Sequence, residues 1–323
     1  MNQYGTKETI YSGPNAIVYK AVDRESQNIV ALKVVDVDLC MKPHDIRREI
    51  TTLQRIHNKG VLQFINLYTH GDDIILVTPC YQFDLDQWIK MSTKKRVKFN
   101  LDDPTNNIIH YRNEFPTSKV ESIISTLATT LRYLHDDEGI RHRDIKPSNV
   151  YFESEDSPPV LGDFGIIYNT RDPPSDEPMD SKYTDVSTGI FKAPELCFGM
   201  ADYTQAIDIW SLGIMLTLLY SATGKSCIDE EGNFHDLTLI SSIFLNFGTP
   251  LTSDASDKRL YWPDANRPLS HFNSFKFTEK PRVPSDKLLP RCDNPNMLRI
   301  FDRMMVYQGS ERITAKEILT CIE

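Results

Sequence analysis

Residues 142–149 read His142-Arg143-Asp144-Ile145-Lys146-Pro147-Ser148-Asn149, followed by Asp163-Phe164-Gly165 and then Ala193-Pro194-Glu195. The pattern changes character well before this stretch. Upstream, residues 8–38 alternate short β-branched runs with a polar turn at 23–28, the signature of a hairpin within an antiparallel sheet. Ile46, Ile50, Leu53 and Ile56 then recur at helical spacing after Pro43, which predicts an amphipathic helix, and strand character resumes at 61–68 and 74–78. Downstream, helices dominate. One apolar face runs from Ser118 to His135, residues 206–220 are apolar nearly all round, and 295–307 and 314–322 read as closing helices. Strands first and helices afterwards predict an α+β protein. We place an N-lobe at 1–80, a β-sheet with one key helix, and a larger helical C-lobe at 81–323.

The chain has 323 residues and a net charge of −9, with 40% hydrophobic and 25% charged residues. That length suggests about two domains or lobes, and the composition excludes collagen, coiled coil and wholesale disorder. The acidic balance argues against nucleic acid as the main partner. The N-terminal residues lack a signal-peptide pattern, and the longest apolar stretch, 207–220, is too short for a membrane span and carries Asp208. Six scattered cysteines with no CxxC pair suit reduced thiols. The expectation is a soluble protein of the cytoplasm, the nucleus or both.

Two stretches break the pattern. Residues 92–118 hold a basic cluster (Lys94, Lys95, Arg96, Lys98) without a clean period and read as a solvated surface insertion, and 250–290 is proline-rich and irregular.

The three motifs, in order and at this spacing, resemble the signature set of eukaryotic protein kinases. The resemblance implies a bilobal kinase fold, ATP and Mg²⁺ as cofactors, and catalysis by positioning and charge stabilisation. On it, Asp144 accepts the hydrogen bond of the attacking hydroxyl, and Asn149 and Asp163 offer hard oxygen ligands to the metal. Lys146 contacts the γ-phosphate, a lysine that marks Ser/Thr rather than tyrosine specificity. Val30-Ala31-Leu32-Lys33 resembles the strand whose lysine grips the α- and β-phosphates, with Glu49 as its partner. Either residue alone would be an ordinary surface charge. Of the three family glycines of the phosphate loop only Gly13 remains, the others being Tyr11 and Ala16, which implies looser clamping and weaker ATP binding without inactivity. Thr78 stands at the gatekeeper position, Pro79 offers the adenine only a carbonyl, and the Tyr81 N–H donates to the ring. Val18, Ala31 and Tyr151 would sandwich the base, although each would also suit a plain core. Scaffold roles fall to Asp208 beneath the catalytic loop, a Glu195–Arg312 pair, and Thr188 bound to Asp144 and Lys146.

Arg48-Glu49, the Phe244…Gly248-Thr249-Pro250 stretch and the long insert resemble the group of cyclin-dependent and MAP kinases. Residues 177–200, the glycine-poor loop, Pro79 and the basic insert are similar to the single-subunit, budding-yeast type of CDK-activating kinase. That resemblance implies a cyclin-dependent kinase as substrate, and activity as a monomer without a cyclin or a phosphorylated loop. The usual phosphosite falls on Tyr183, and the third of the arginines that bind the phosphate is Tyr168, while 172–187 carries five acids. A carboxylate, Glu177 or Asp180, is therefore expected on Arg48 and Arg143, against the plainer reading of a solvated acidic loop. Lys192, where proline-directed relatives carry arginine, makes a requirement for proline after the acceptor doubtful. The competing readings are a same-group kinase with MAP-kinase-like or other substrates, and a pseudokinase scaffold.

Overall fold

The computed structural model describes residues 3–5, 7–98, 108–228, 235–253 and 255–322. In chain order its strands and helices begin with β1 (Glu8–Ser12), β2 (Ile17–Val22), β3 (Ile29–Asp36), α1 (Ile46–Arg55), β4 (Asn66–His70), β5 (Asp73–Pro79) and β6 (Phe83–Asp84). Next come α2 (Leu85–Ser92), β7 (Thr93–Lys98), β8 (Ile108–Asn113), α3 (Thr117–Arg132) and β9 (Ile140–Arg141). They are followed by β10 (Val150–Phe152), β11 (Val160–Leu161) and β12 (Tyr168–Asn169). The remaining helices are α4 (Pro194–Cys197), α5 (Ala206–Leu219), α6 (Asp236–Phe247), α7 (Ser285–Leu288), α8 (Pro295–Met304) and α9 (Ala315–Ile322). The chain forms two compact units, Met1–Asp84 with Asn149–Ile167, and Leu85–Ser148 with Tyr168–Glu323. This differs from a single cut near residue 80, because β10 pairs antiparallel with β6 and takes 149–167 with it.

The first unit is built on a five-stranded sheet of order β1-β2-β3-β5-β4, its adjacent strands antiparallel. Ala21, Val30, Leu32, Ile75 and Val77 form its core, with Tyr4 added from the N-terminal side. The helix α1 begins where Asp45 caps the N–H groups of Arg47 and Arg48. It buries Ile46, Ile50 and Leu53, as the spacing predicted, and Glu49 among them. The strand expected at 61–68 is shorter. Val61 and Leu62 are buried beside Leu161 through an isolated bridge, and regular pairing begins only at Asn66. Burial on all sides gives such residues a strand-like composition without a strand.

In the second unit α5 is buried almost end to end, so its polar groups must be satisfied internally. Ser211 donates to the carbonyls of Phe191 and Ile207, and Thr217 to that of Ile214. The C-terminal carbonyls of α5 are met by Asn113, whose amide lies 3.3 Å from the Leu218 and Leu219 oxygens and 3.0 Å from that of Ser221. Segment 250–290 is irregular, as the prolines imply. Trp262, Phe272 and Phe277 fasten it around Phe198, and Arg259 and Arg282 pair with Asp302.

The described parts of the 92–118 insertion are largely exposed at the surface, as expected, but they form paired strands and not an irregular loop. The basic cluster lies on β7, which pairs in register with β8 from Thr93↔Asn113 to Lys98↔Ile108. Ile108, Ile109 and Tyr111 supply the β-propensity, and the intervening part of the insert, residues 99–107, lies outside the described residues.

Asn113→Ala would leave three helix-end carbonyls without their side-chain donor in a site where the residue is 3% exposed. It is expected to lower the stability of the large unit by about 2–3 kcal/mol, read as a lower denaturant midpoint at unchanged slope.

Candidate active site

Of the residues singled out for the nucleotide, all but Lys146 belong to the first unit. Strand register sets their spacing. Val18 on β2 faces Lys33 on β3, while Ala31 faces Thr78 and Val30 faces Pro79 on β5. Gly13 closes the β1–β2 turn by donating its N–H to the Ala16 carbonyl at 3.0 Å. Tyr81 and Tyr151 stack with ring centroids 5.7 Å apart. Tyr151 also lies against Gly162, where an added Cβ would come within 2.2 Å of its ring, so the residue before Asp163 must lack a side chain.

Lys33 Nζ lies 2.8 Å from Glu49 Oε2 and 2.8 Å from Asp163 Oδ1. Burial alone would depress the lysine, but the carboxylates of Asp163 and Glu49 outweigh it and hold the ammonium well above its usual range. Burial pushes the Glu49 carboxyl up, and Asp163 adds to this, because two carboxylates share one cation. The α1 helix is also tied to the Asp163-Phe164-Gly165 turn through its backbone. The Phe164 N–H donates to Glu49 Oε1 at 3.3 Å, and the Asp45 N–H donates to the Gly165 carbonyl at 2.8 Å. Asp163 itself adopts a φ of 59°, a left-handed conformation that only a well-determined turn sustains in a non-glycine residue.

This arrangement fits a magnesium-bound triphosphate. The Lys33, Glu49 and Asp163 group carries one excess negative charge, and Asp163 and Asn149 offer the hard oxygens that Mg²⁺ takes, one or two at a time beside phosphate oxygens and water. Among the described residues no three His, Cys, Asp or Glu side chains cluster as an all-protein metal site. Asn15, in the β1–β2 turn, buries its amide oxygen without a hydrogen-bond partner, and rotation of that amide would present a donor instead. Nothing in the sequence marks Asn15 except its place two residues after Gly13.

The second unit holds Asp144 and Lys146, with the scaffold residues around them. Thr188 Oγ1 donates to Asp144 Oδ1 at 2.7 Å, and Lys146 Nζ reaches both Asp144 Oδ2 at 2.7 Å and Thr188 Oγ1 at 2.8 Å. Beneath this triangle the buried Asp208 accepts the backbone N–H groups of His142 and Arg143 at 2.9 and 2.8 Å, and pairs with His135 Nε2 at 2.8 Å. Burial opposes its ionisation, yet the His135 ring, with the His142 N–H, holds the carboxyl below its ordinary value. This clamp sustains a φ of 69° at Arg143. Arg312 and Glu195 form the expected buried pair, with guanidinium-to-carboxylate distances of 2.8 and 3.1 Å.

Arg143 then turns its guanidinium onto Glu177. Nη1 contacts Oε1, Nη2 lies 3.3 Å from Oε2, and the two residues are 1% and 2% exposed. Glu177 also accepts the Tyr183 N–H at 3.0 Å. Of the two acids named from sequence, Glu177 is therefore the one on Arg143, whereas Asp180 is exposed. Ser187 Oγ donates to the Arg143 carbonyl at 2.7 Å and holds its own backbone at φ 67°. Lys192 points elsewhere, to Asp236 at 2.9 Å.

Because Asp208 is more acidic in the folded chain, its stabilising effect is fully present above the ordinary carboxylate range and is lost as pH falls through its folded value. Asp208→Asn is expected to cost about 3 kcal/mol at neutral pH, with the gap from the parent closing in acid, followed by thermal melts from pH 7 to pH 3.

The comparisons agree with this geometry. The chain matches the protein kinase domain family over residues 4–321. It is 30% identical to the Saccharomyces cerevisiae serine/threonine-protein kinase CAK1 over 254 residues, 68% of each chain. It is 26% identical to Danio rerio cyclin-dependent kinase 20, covering 99% of this chain and 82% of the relative. The crystal structure of the yeast RNA Pol II CTD kinase CTDK-1 complex superposes with a TM-score of 0.75 at 21% identity, over 99% of this chain and 91% of that one, which shows a shared fold. The chain belongs to the protein kinase family, with a β-sheet N-lobe and a helical C-lobe, as an ATP- and Mg²⁺-dependent serine/threonine protein kinase of the CDK group.

Proposed function

We propose that this kinase phosphorylates the activation-loop threonine of cyclin-dependent kinases, that it does so as a single subunit in the cytoplasm, the nucleus or both, and that its own loop needs no phosphate. The observation that carries this reading is the Glu177 carboxylate seated on Arg143. In loop-phosphorylated relatives, arginines hold a phosphothreonine that orders the segment. Here a permanent carboxylate occupies the Arg143 guanidinium and ties down Tyr183, which stands at the phosphosite position. The Lys33–Glu49 pair supports independence from a cyclin, because α1 already holds its glutamate on the lysine within the first unit. The likeness to CAK1 supports the substrate class.

In this reading each residue has a task. Lys33, oriented by Glu49, would bind the α- and β-phosphates, with Gly13 in the adjoining phosphate loop. Val18, Ala31 and Tyr151 enclose the base, Thr78 lines the back of the pocket, and the Pro79 carbonyl and Tyr81 N–H meet the adenine edge. Asn149 and Asp163 would hold Mg²⁺, which when bound would neutralise phosphate charge. Asp144 accepts the hydrogen bond of the substrate hydroxyl, and Lys146 neutralises the transferring phosphate. Thr188 keeps both side chains in place.

Protein made in bacteria and free of phosphate is expected to phosphorylate a purified monomeric cyclin-dependent kinase at its activation-loop threonine, identified by mass spectrometry. Asp144→Asn and Asp163→Asn should each lower incorporation by about 10²-fold or more, and Glu177→Ala by at least tenfold, because it strands a buried guanidinium. Incorporation into other proteins but not that threonine would favour the alternative substrates of the group. Protein that stays inactive until another kinase treats it would refute the role of Glu177.

A further inference from the structure

Tyr168 stands where the resemblance to loop-phosphorylated kinases implies an arginine, and its surroundings show what a tyrosine does there. It lies on β12, paired with Arg141 of β9, and is fully buried. The ring is met by Arg141 and Arg143, whose guanidinium carbons lie 5.4 and 5.6 Å from its centroid. Lys182, from the segment after Glu177, brings its ammonium to 5.6 Å from the Tyr168 centroid and 4.9 Å from that of Tyr203. Lys182 is 4% exposed, its N–H donates to the Ala201 carbonyl, and its ammonium donates to the Met179 carbonyl. Among the described residues no carboxylate pairs with it. Glu177 is on Arg143, and Asp202, the other acid facing it, is on Arg267.

Burial, with Arg141 nearby, pushes the Lys182 ammonium down to about 8, and two aromatic faces with a carbonyl offset part of that cost. Tyr203 is also bound into the segment. Its hydroxyl receives Arg143 Nη1 at 3.0 Å and donates to the Tyr183 carbonyl at 2.8 Å, while its carbonyl accepts Arg141 Nη1 at 2.7 Å.

We propose that Lys182 is a positioning residue, the second anchor of the activation segment, whose cation is clasped by Tyr168 and Tyr203 five residues after the Glu177 anchor on Arg143. The two anchors have opposite sign. At Glu177 a segment anion meets a scaffold cation, and at Lys182 a segment cation meets scaffold aromatic rings. Replacing the arginine with Tyr168 therefore removes a cation that would repel Lys182 and supplies a face that attracts it. This rests on the reading of the segment as ordered without phosphate.

The test is amide hydrogen exchange over residues 177–187, measured on the phosphate-free full chain with no protein substrate present. Its outcome is therefore separate from whether a cyclin-dependent kinase is the target. Lys182→Met and Tyr168→Leu are each expected to speed exchange in that segment about tenfold, with no comparable change elsewhere in the unit. The double variant should be no faster than Lys182→Met alone, because the Tyr168 contact is already lost with the lysine. Lys182→Arg should keep the parental rate. Exchange at or below the parental rate in Lys182→Met, single effects that multiply, or a rise spread through the whole unit would overturn the proposal. If Lys182→Met does not fold, Tyr168→Phe decides against Tyr168→Leu. The ring-retaining variant should stay protected, and equal behaviour of the two would refute the clasp.

Discussion

The second unit is organised around the buried residue Arg143, which is used three times over. Its backbone N–H is fixed by Asp208 of α5, its carbonyl accepts from Ser187, and its guanidinium holds Glu177. One residue thereby links the most buried helix, the loop bearing Asp144, and the segment bearing Thr188. Burial raises the stakes of each contact, since removing one partner of such a pair leaves an uncompensated charge and costs several kcal/mol. The left-handed backbone at Arg143 is the conformation in which all three demands are met at once.

The chemistry of the segment follows from charge. A phosphate brings nearly two negative charges that a cell can add or remove, whereas a carboxylate brings one that is always present. Glu177 is matched by the guanidinium of Arg143, and the ring of Tyr168 beside it is met by Arg141, Arg143 and Lys182. On the nucleotide side the sign is reversed. Lys33 is shared by Glu49 and Asp163, leaving a negative excess where a divalent cation is required.

Some elements were legible because their signal is local. The α1 helix carries its own apolar stripe, and α5 declares its burial by having no polar face. Other elements depend on partners distant in the chain. β7 is a run of lysine and arginine with no apolar alternation, and only pairing with β8 makes it a strand. Val61 and Leu62 have the composition of a strand, but they are buried by Leu161, a hundred residues away. For Lys182, no spacing rule connects it to Tyr168 and Tyr203, because a cation over a ring leaves no sequence period.

The sequence alone determined the order of the two lobes, the residue types available for phosphoryl transfer, and the limitation of the phosphate loop to Gly13, since each depends on composition, spacing or motif within a short window. The tertiary structure decided between Glu177 and Asp180, placed Lys192 on Asp236, tied 149–167 to the sheet-bearing unit, and brought Lys182 to its two rings. These are choices between groups of like chemistry that can be resolved only by distance and burial, quantities fixed when separate segments pack and their charges leave water.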